Sequence, residues 1–187
     1  MPMAIAARQW TVEEVQAFPD DGNRYELIDG ELLVSPSPSW THQKGVLELA
    51  VRLRDYVKAY PVADIVIAPA DVVYDSRTVV EPDVFAVPLV GGRRPRTWAE
   101  AGRLLLAVEV LSPGTARADR TLKRRLYQRH DVPEYWIVDI DGRLVERWRP
   151  DDDRPELLTE QLEWRPVAGQ PSLVIALDEY FAEVAGE

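Results

Sequence analysis

The hydrophobic pattern of the chain is densest in two short runs, residues 79–87 and 104–111, both rich in β-branched residues and leucine. Runs of that length and composition predict strands buried on both faces. The periodicity around them predicts the remaining elements. Thr11, with Glu14 three residues later, forms a capping-box pattern, so residues 9–19 predict a short helix that Pro19 stops. Asp29-Gly30 between two apolar stretches predicts a hairpin over 24–34. The connector Ser35-Pro36-Ser37-Pro38-Ser39 leads into a helix over about 40–60, where Val46, Leu49, Leu53 and Val57 recur at three and four.

Residues 63–74 predict a first central strand with Asp71 near its end, and Asp75-Ser76-Arg77 turns it into the 79–87 strand. A loop over 88–103, with a helical turn at 97–101, precedes the 104–111 strand. Residues 116–130 predict a helix with Leu122 and Leu126 on one face, broken by Val132-Pro133. A buried strand over 134–139 follows, and Asp141-Gly142 turns it into 143–149. Beyond Pro150 the pattern predicts peripheral strands at 157–164 and 172–176 and a short helix from Leu177. This order predicts an α/β (α+β) fold, a central mixed sheet flanked by helices with an N-terminal hairpin. One domain is expected, with a core over about 22–150 and peripheral elements over 151–187.

Composition adds limits. The 187 residues are 46% hydrophobic and 29% charged, as in folded globular proteins. No apolar run reaches the ~18 residues of a membrane span, and the first residues lack the pattern of a secretory signal, so a cytoplasmic protein is expected. Cysteine is absent, which excludes disulfides and thiolate zinc sites. Two histidines, His42 and His130, are too few for a histidine metal cage. The net charge of −10 weighs against tight non-specific nucleic-acid binding. Residues 93–96 and 117–129 are nevertheless basic islands, which leaves room for a local basic cleft.

The candidate chemistry sits in the two densest runs. Asp83 lies in the first and Glu109 in the second, 26 residues apart, far enough for two strands to be joined and laid side by side. A buried carboxylate is costly unless it is paired, hydrogen-bonded or bound to a metal. Two converging carboxylates are the minimum for Mg²⁺, which keeps waters and takes few protein ligands. The residues alone leave two accounts open: a socket for a divalent cation, or acids that cap turns and pair with arginine.

Four phrases carry a resemblance: Arg24-Tyr25-Glu26-Leu27-Ile28-Asp29-Gly30-Glu31-Leu32, Pro82-Asp83-Val84, Val108-Glu109-Val110-Leu111-Ser112-Pro113 and Asp131-Val132-Pro133-Glu134-Tyr135-Trp136-Ile137-Val138-Asp139. Each is short, but their order across roughly residues 10–150 is specific. The chain resembles the PD-(D/E)XK nuclease superfamily and, more narrowly, the Uma-type restriction endonucleases. The resemblance implies a restriction-endonuclease-like core and a metal-dependent endonuclease acting on DNA. It implies Mg²⁺ or Mn²⁺ held by Asp83, Glu109 and the main-chain carbonyl of Leu111. The superfamily's lysine, two residues after the second acid, is replaced here by Leu111. Lys123, the only lysine of the following helix, is then the implied third catalytic residue.

The same resemblance brings in Glu26 as a further carboxylate, and strand alternation sets Glu26 and Ile28 on one face of the hairpin. His42, Ser112 and Tyr127 are further candidates, Tyr127 because it lies one helical turn beyond Lys123. Asp71 is a candidate for an acid that supports the site from behind. Arg117, Arg120 and Arg124 are candidates for phosphate contact. Trp40 and Trp98, in or beside connectors, are the tryptophans to examine for contacts between copies. A homodimer is the expected assembly, because one such site cuts one strand. The acidic balance and Leu111 favour a rival reading, a non-catalytic nucleic-acid-binding or protein-interaction module that keeps the nuclease fold.

Overall fold

The computed structural model describes residues 8–187. Thr11 and Glu14 form the predicted capping box and start α1 (Val12–Gln16). The hairpin is β1 (Arg24–Ile28) and β2 (Glu31–Ser35), joined by Asp29 at φ 50° and Gly30 at φ 84°. Two consecutive positive φ angles are what a two-residue hairpin loop requires. Next come α2 (Trp40–Ala59), β3 (Ala63–Ile67), β4 (Val72–Asp75), β5 (Thr78–Val80), β6 (Val84–Pro88), α3 (Trp98–Ala101) and β7 (Leu106–Val110). A single helical run follows, made of α4 (Ala116–Ala118), a π turn (Asp119–Lys123) and α5 (Arg124–Arg129). The chain ends with β8 (Tyr135–Asp139), β9 (Leu144–Trp148), β10 (Glu156–Leu158), β11 (Gln161–Trp164), β12 (Leu173–Ala176) and α6 (Leu177–Ala185).

The central sheet has six strands in the order β10-β9-β8-β7-β6-β3. Only β7 and β8 run parallel, so only they need a long crossover, and the α4–α5 run supplies it. A four-stranded sheet, β2-β1-β5-β4, stands beside the centre, and β11 pairs with β12 separately.

Several predicted strands prove to be pairs. Residues 63–74 divide around Pro69 into β3, an edge strand of the central sheet and not an inner one, and β4 of the smaller sheet. Residues 79–87 divide at Glu81-Pro82-Asp83 into β5 and β6, again in different sheets. Proline offers no N–H to a ladder, so each apolar run is cut where a proline stands. Residues 157–164 likewise split into β10 and β11.

Alternation along the strands decides what each layer buries. Val84, Ala86, Leu106, Val108, Val110, Trp136 and Val138 point to one face, against α2 and α6. The predicted stripe of α2, Val46, Leu49, Leu53 and Val57, is buried there. Burying a leucine or valine stabilises by roughly 1.5–3 kcal/mol, so this stripe and its sheet partners anchor the helix. Phe85, Ala107, Tyr135 and Ile137 point to the other face, against Leu126 and Tyr127 of α5. Both faces are covered, which accounts for the unbroken apolar runs.

Candidate active site

Strand parity places the acids. Val84 pairs with Val108 across β6 and β7, and Phe85 with Ala107. Glu109 therefore shares the face of Ala107, under the crossover helix, and Asp83 meets β7 just before β6 begins. The Val110 amide donates to Asp83 Oδ2 at 2.8 Å, which fixes that meeting. Asp83 thus lies in the step between two strands and not inside one, as the unbroken 79–87 strand had implied.

The crossover helix delivers Lys123. The π turn carries Asp119 and Lys123 inward, and the Lys123 side chain is only 2% exposed. Its ammonium lies 2.9 Å from Glu109 Oε1, 2.8 Å from Glu26 Oε2 and 3.6 Å from Asp119 Oδ1. Glu26 comes from β1, and its Oε1 accepts the Glu81 amide at 2.8 Å, which ties β1 to the step that leaves β5. Tyr127 donates its hydroxyl to Glu109 Oε1 at 3.3 Å, so it supports the acid and not the lysine. Burial outweighs every attraction at Glu109 and pushes its carboxyl well above the usual carboxylate range. Burial would depress Lys123, but Glu109, Glu26 and Asp119 together raise it well above the ordinary lysine value.

Asp83 has a different environment. His42 Nε2 lies 3.1 Å from Oδ2, and Arg24 Nη1 donates to Oδ1 at 2.8 Å. Burial would raise this carboxyl, but His42, Arg24 and the Val110 amide together hold it at about 2. The expected open socket between Asp83 and Glu109 is therefore lined by internal cations: Arg24 engages one acid and Lys123 the other. Buried carboxylates require such partners, and here the chain supplies them.

These groups line a cleft of about 470 Å³. Its walls include Glu26, Asp83, Glu109, Leu111, Lys123 and the lip residues 35–39 and 112–116. Ser112 is on that lip and shares a 3.1 Å hydrogen bond with Thr115. Arg120 borders the cleft but is committed to Glu146 at 2.6 Å and Asp139 at 3.4 Å, because the buried Glu146 of β9 needs a counter-charge. Arg124 lies outside the cleft, with its guanidinium 4.8 Å over the Trp148 ring and bonded to Gln128. Arg117 is exposed, beside the lip residues. Asp71 is also outside the cleft, exposed and bonded by Gln16 at 2.8 Å. Trp98 packs within the chain, donating to the Val73 carbonyl at 2.6 Å.

Two participants went unpredicted, Arg24 on Asp83 and Asp119 beside Lys123. Asp119 is 1% exposed, and neither of its oxygens has a hydrogen-bond partner among the described residues. Burial raises its carboxyl and the Lys123 charge opposes the rise. Its only sequence signal was the four-residue spacing to Lys123.

The cleft residues coincide with the phrases that carried the resemblance, and comparison with known proteins bears on the same stretch. A profile of the Uma2 family, described as "Putative restriction endonuclease", matches residues 12–178. The chain belongs to the Uma2 family. The Uma2 chain also superposes on the crystal structure of a "putative nuclease belonging to DUF820" from Anabaena variabilis, with a TM-score of 0.74. The two are 19% identical, and the match covers 94% of this chain and 99% of the other, so they share a fold. No curated protein matches this sequence. Among the described residues, no helix is long and apolar enough to cross a membrane.

The donor chemistry of the cleft suits a hard divalent cation. Carboxylate oxygens are what Mg²⁺ and Mn²⁺ prefer, and Glu109 Oε2 and both Asp119 oxygens have no hydrogen-bond partner among the described residues. No cluster of three or more acids or histidines among them encloses an ion, so a metal would be held by few protein groups and by water.

Proposed function

We propose that this protein is a metal-dependent endonuclease that hydrolyses phosphodiester bonds in DNA. The observation that carries the reading is the convergence of Asp83, Glu109 and Lys123, from the step before β6, from β7 and from the π turn, on one cleft. Membership of a family named for restriction endonucleases supports the same class of reaction. Asp83 and Glu109, with the main-chain carbonyl of Leu111 at the cleft wall, would hold Mg²⁺ or Mn²⁺. When bound, such an ion polarises a phosphoryl oxygen and acidifies a water molecule.

The chain's own residues supply the rest. Lys123 is held protonated by the surrounding acids, so it does not act as a general base. Its ammonium orients the nucleophile and stabilises negative charge that develops on the phosphorus oxygens. Tyr127 fixes one oxygen of Glu109, leaving the other for the cleft. Hydroxyls on the lip, among them Ser112 and Thr115, would contact phosphates. One site cuts one strand, and a two-fold pair of chains would cut both.

Plasmid nicking in Mg²⁺ or Mn²⁺, compared with EDTA and with Asp83→Asn and Glu109→Gln, tests the reading. The wild type nicks and both variants lose activity. Equal nicking by all three preparations would trace the activity to a contaminant. One observation favours the non-catalytic module instead: both Asp83 oxygens already have partners, Arg24 on one and His42 with the Val110 amide on the other. Calorimetry with Mn²⁺ separates the two, because a module without a cation site gives no binding heat at millimolar metal.

A further inference from the structure

Trp40 is the first residue of α2 and is 92% exposed. Tryptophan buries more area than any other side chain when it packs, so a surface indole this free invites a partner. Its position is not arbitrary. Ser39, Thr41 and His42, the residues on either side of it, line the catalytic cleft, and His42 contacts Asp83. The indole therefore stands on the outer lip, one residue from the groups that face the acids. Lys44, four residues on and on the same side of the helix, is exposed and makes no ion pair among the described residues. Arg117, just past the opposite lip at 112–116, is exposed and likewise lacks a carboxylate partner among them. An aromatic face with one free cation a turn along its helix and another past the opposite lip, at the rim of a cleft with hydroxyls on its lips and the acids deeper in, matches a nucleic-acid strand: a base to stack and phosphates to either side.

We propose that Trp40 is a stacking platform for an unpaired nucleobase, so that the strand entering the cleft is single-stranded or locally opened DNA. The inference rests on the nuclease reading and narrows its substrate. An indole stacks on a base only where that base has left its own stack, as in a single strand, at an end, or at a flipped or kinked step. A protein of net charge −10 gains little from the backbone charge of duplex DNA, so base stacking carries a larger share of its affinity. Leu47, also exposed, lies two turns along α2 from Trp40, and a second copy of the chain is the rival occupant of that face.

The test uses the full-length protein with a labelled single-stranded oligodeoxynucleotide and the matching duplex, at low ionic strength, in Mg²⁺ and in EDTA. Fluorescence anisotropy should show tighter binding to the single strand. Trp40→Ala should weaken that binding by about 5- to 100-fold, and Trp40→Phe should keep most of it. The exposed position leaves folding intact, so a loss in Trp40→Ala is not a loss of structure. If Trp40→Ala binds and cuts like the wild type, the stacking proposal is overturned while the nuclease reading stands. If the wild type neither binds nor cuts any nucleic acid, the nuclease reading itself fails. If sedimentation shows that Trp40→Ala turns a dimer into a monomer with single-strand affinity unchanged, Trp40 is a contact between copies and the proposal is overturned.

Discussion

Replacing Lys123 by methionine isolates the electrostatics of the site. The substitution keeps an unbranched side chain of similar length and removes an ammonium that lies 2.8, 2.9 and 3.6 Å from three buried acids. Breaking a buried ion pair from one side costs about 3–5 kcal/mol, because the surviving charge is left uncompensated. With urea slopes of about 1–3 kcal/mol per molar, the unfolding midpoint should fall by about 1–5 M. The pH dependence has a definite sign. Burial already raises Glu109 in the folded state, so keeping it ionised costs stability at any pH above its ordinary value of 4.5. Without the ammonium that carboxyl is pushed up further, so the deficit of Lys123→Met should grow only as pH climbs through the raised range of Glu109, well above 4.5, and shrink below that range. Adding Glu26→Gln removes one of the stranded acids and should recover about 1–2 kcal/mol. Urea melts of the wild type and both variants across this range provide the measurement. A deficit below about 1 kcal/mol at neutral pH, or one that does not change with pH, would show that Lys123 is not the counter-charge of these acids.

Glu109→Gln should separate chemistry from stability. Burial already favours the neutral carboxyl, so a melt should stay close to wild type, while nicking falls about 100-fold or more. Mn²⁺ affinity should rise with pH, since an ion at Glu109 must displace a proton held by burial; equal affinities by calorimetry at about pH 5.5 and about pH 8 would count against it. Asp83, lowered from 3.8 to about 2, contributes about 2 kcal/mol that is fully present above its ordinary value and lost as pH falls through about 2. The stability gap between wild type and Asp83→Asn should therefore narrow in acid, and a constant gap in urea melts would refute this. At Gly45 a Cβ would meet Ile140 Cδ1 at 2.9 Å and Tyr180 Oη at 3.2 Å, both ends of side chains that can give way, so Gly45→Ala should forfeit most of the helix gain of about 0.5–1 kcal/mol and leave a thermal melt within about 1 kcal/mol of wild type.

Much of this was legible in the sequence, and the exceptions share a cause. The stripe of α2, the Asp29-Gly30 turn and the capping box each rest on local rules that tertiary structure had no reason to override. The runs 63–74 and 79–87 read as single strands because continuous hydrophobicity says nothing about which sheet receives each half. Pro69 and Pro82 were the marks of division. Asp83 and Glu109 stood out as acids among apolar neighbours, and alternation put Glu26 on a face that proves buried. Asp119 had no such contrast, since it lies in a charged stretch and only the π turn carries it inside. Arg120 and Arg124 belonged to a basic island whose partners, Glu146 and Trp148, are supplied from β9, which no local pattern links to them.

The π turn at Asp119–Lys123 has an implication for ancestry. A π turn holds one residue more than a regular helical turn, and each added residue rotates everything after it by about 100°. A gene encoding an ordinary helix could thus swing a surface lysine onto the sheet through a single inserted codon, with no substitution at all. Removing one codon from this segment would turn Lys123 away from the acids and carry the buried Leu126 and Tyr127 round with it, so the charge of the cleft and the seat of the helix on the sheet are set by the same extra residue.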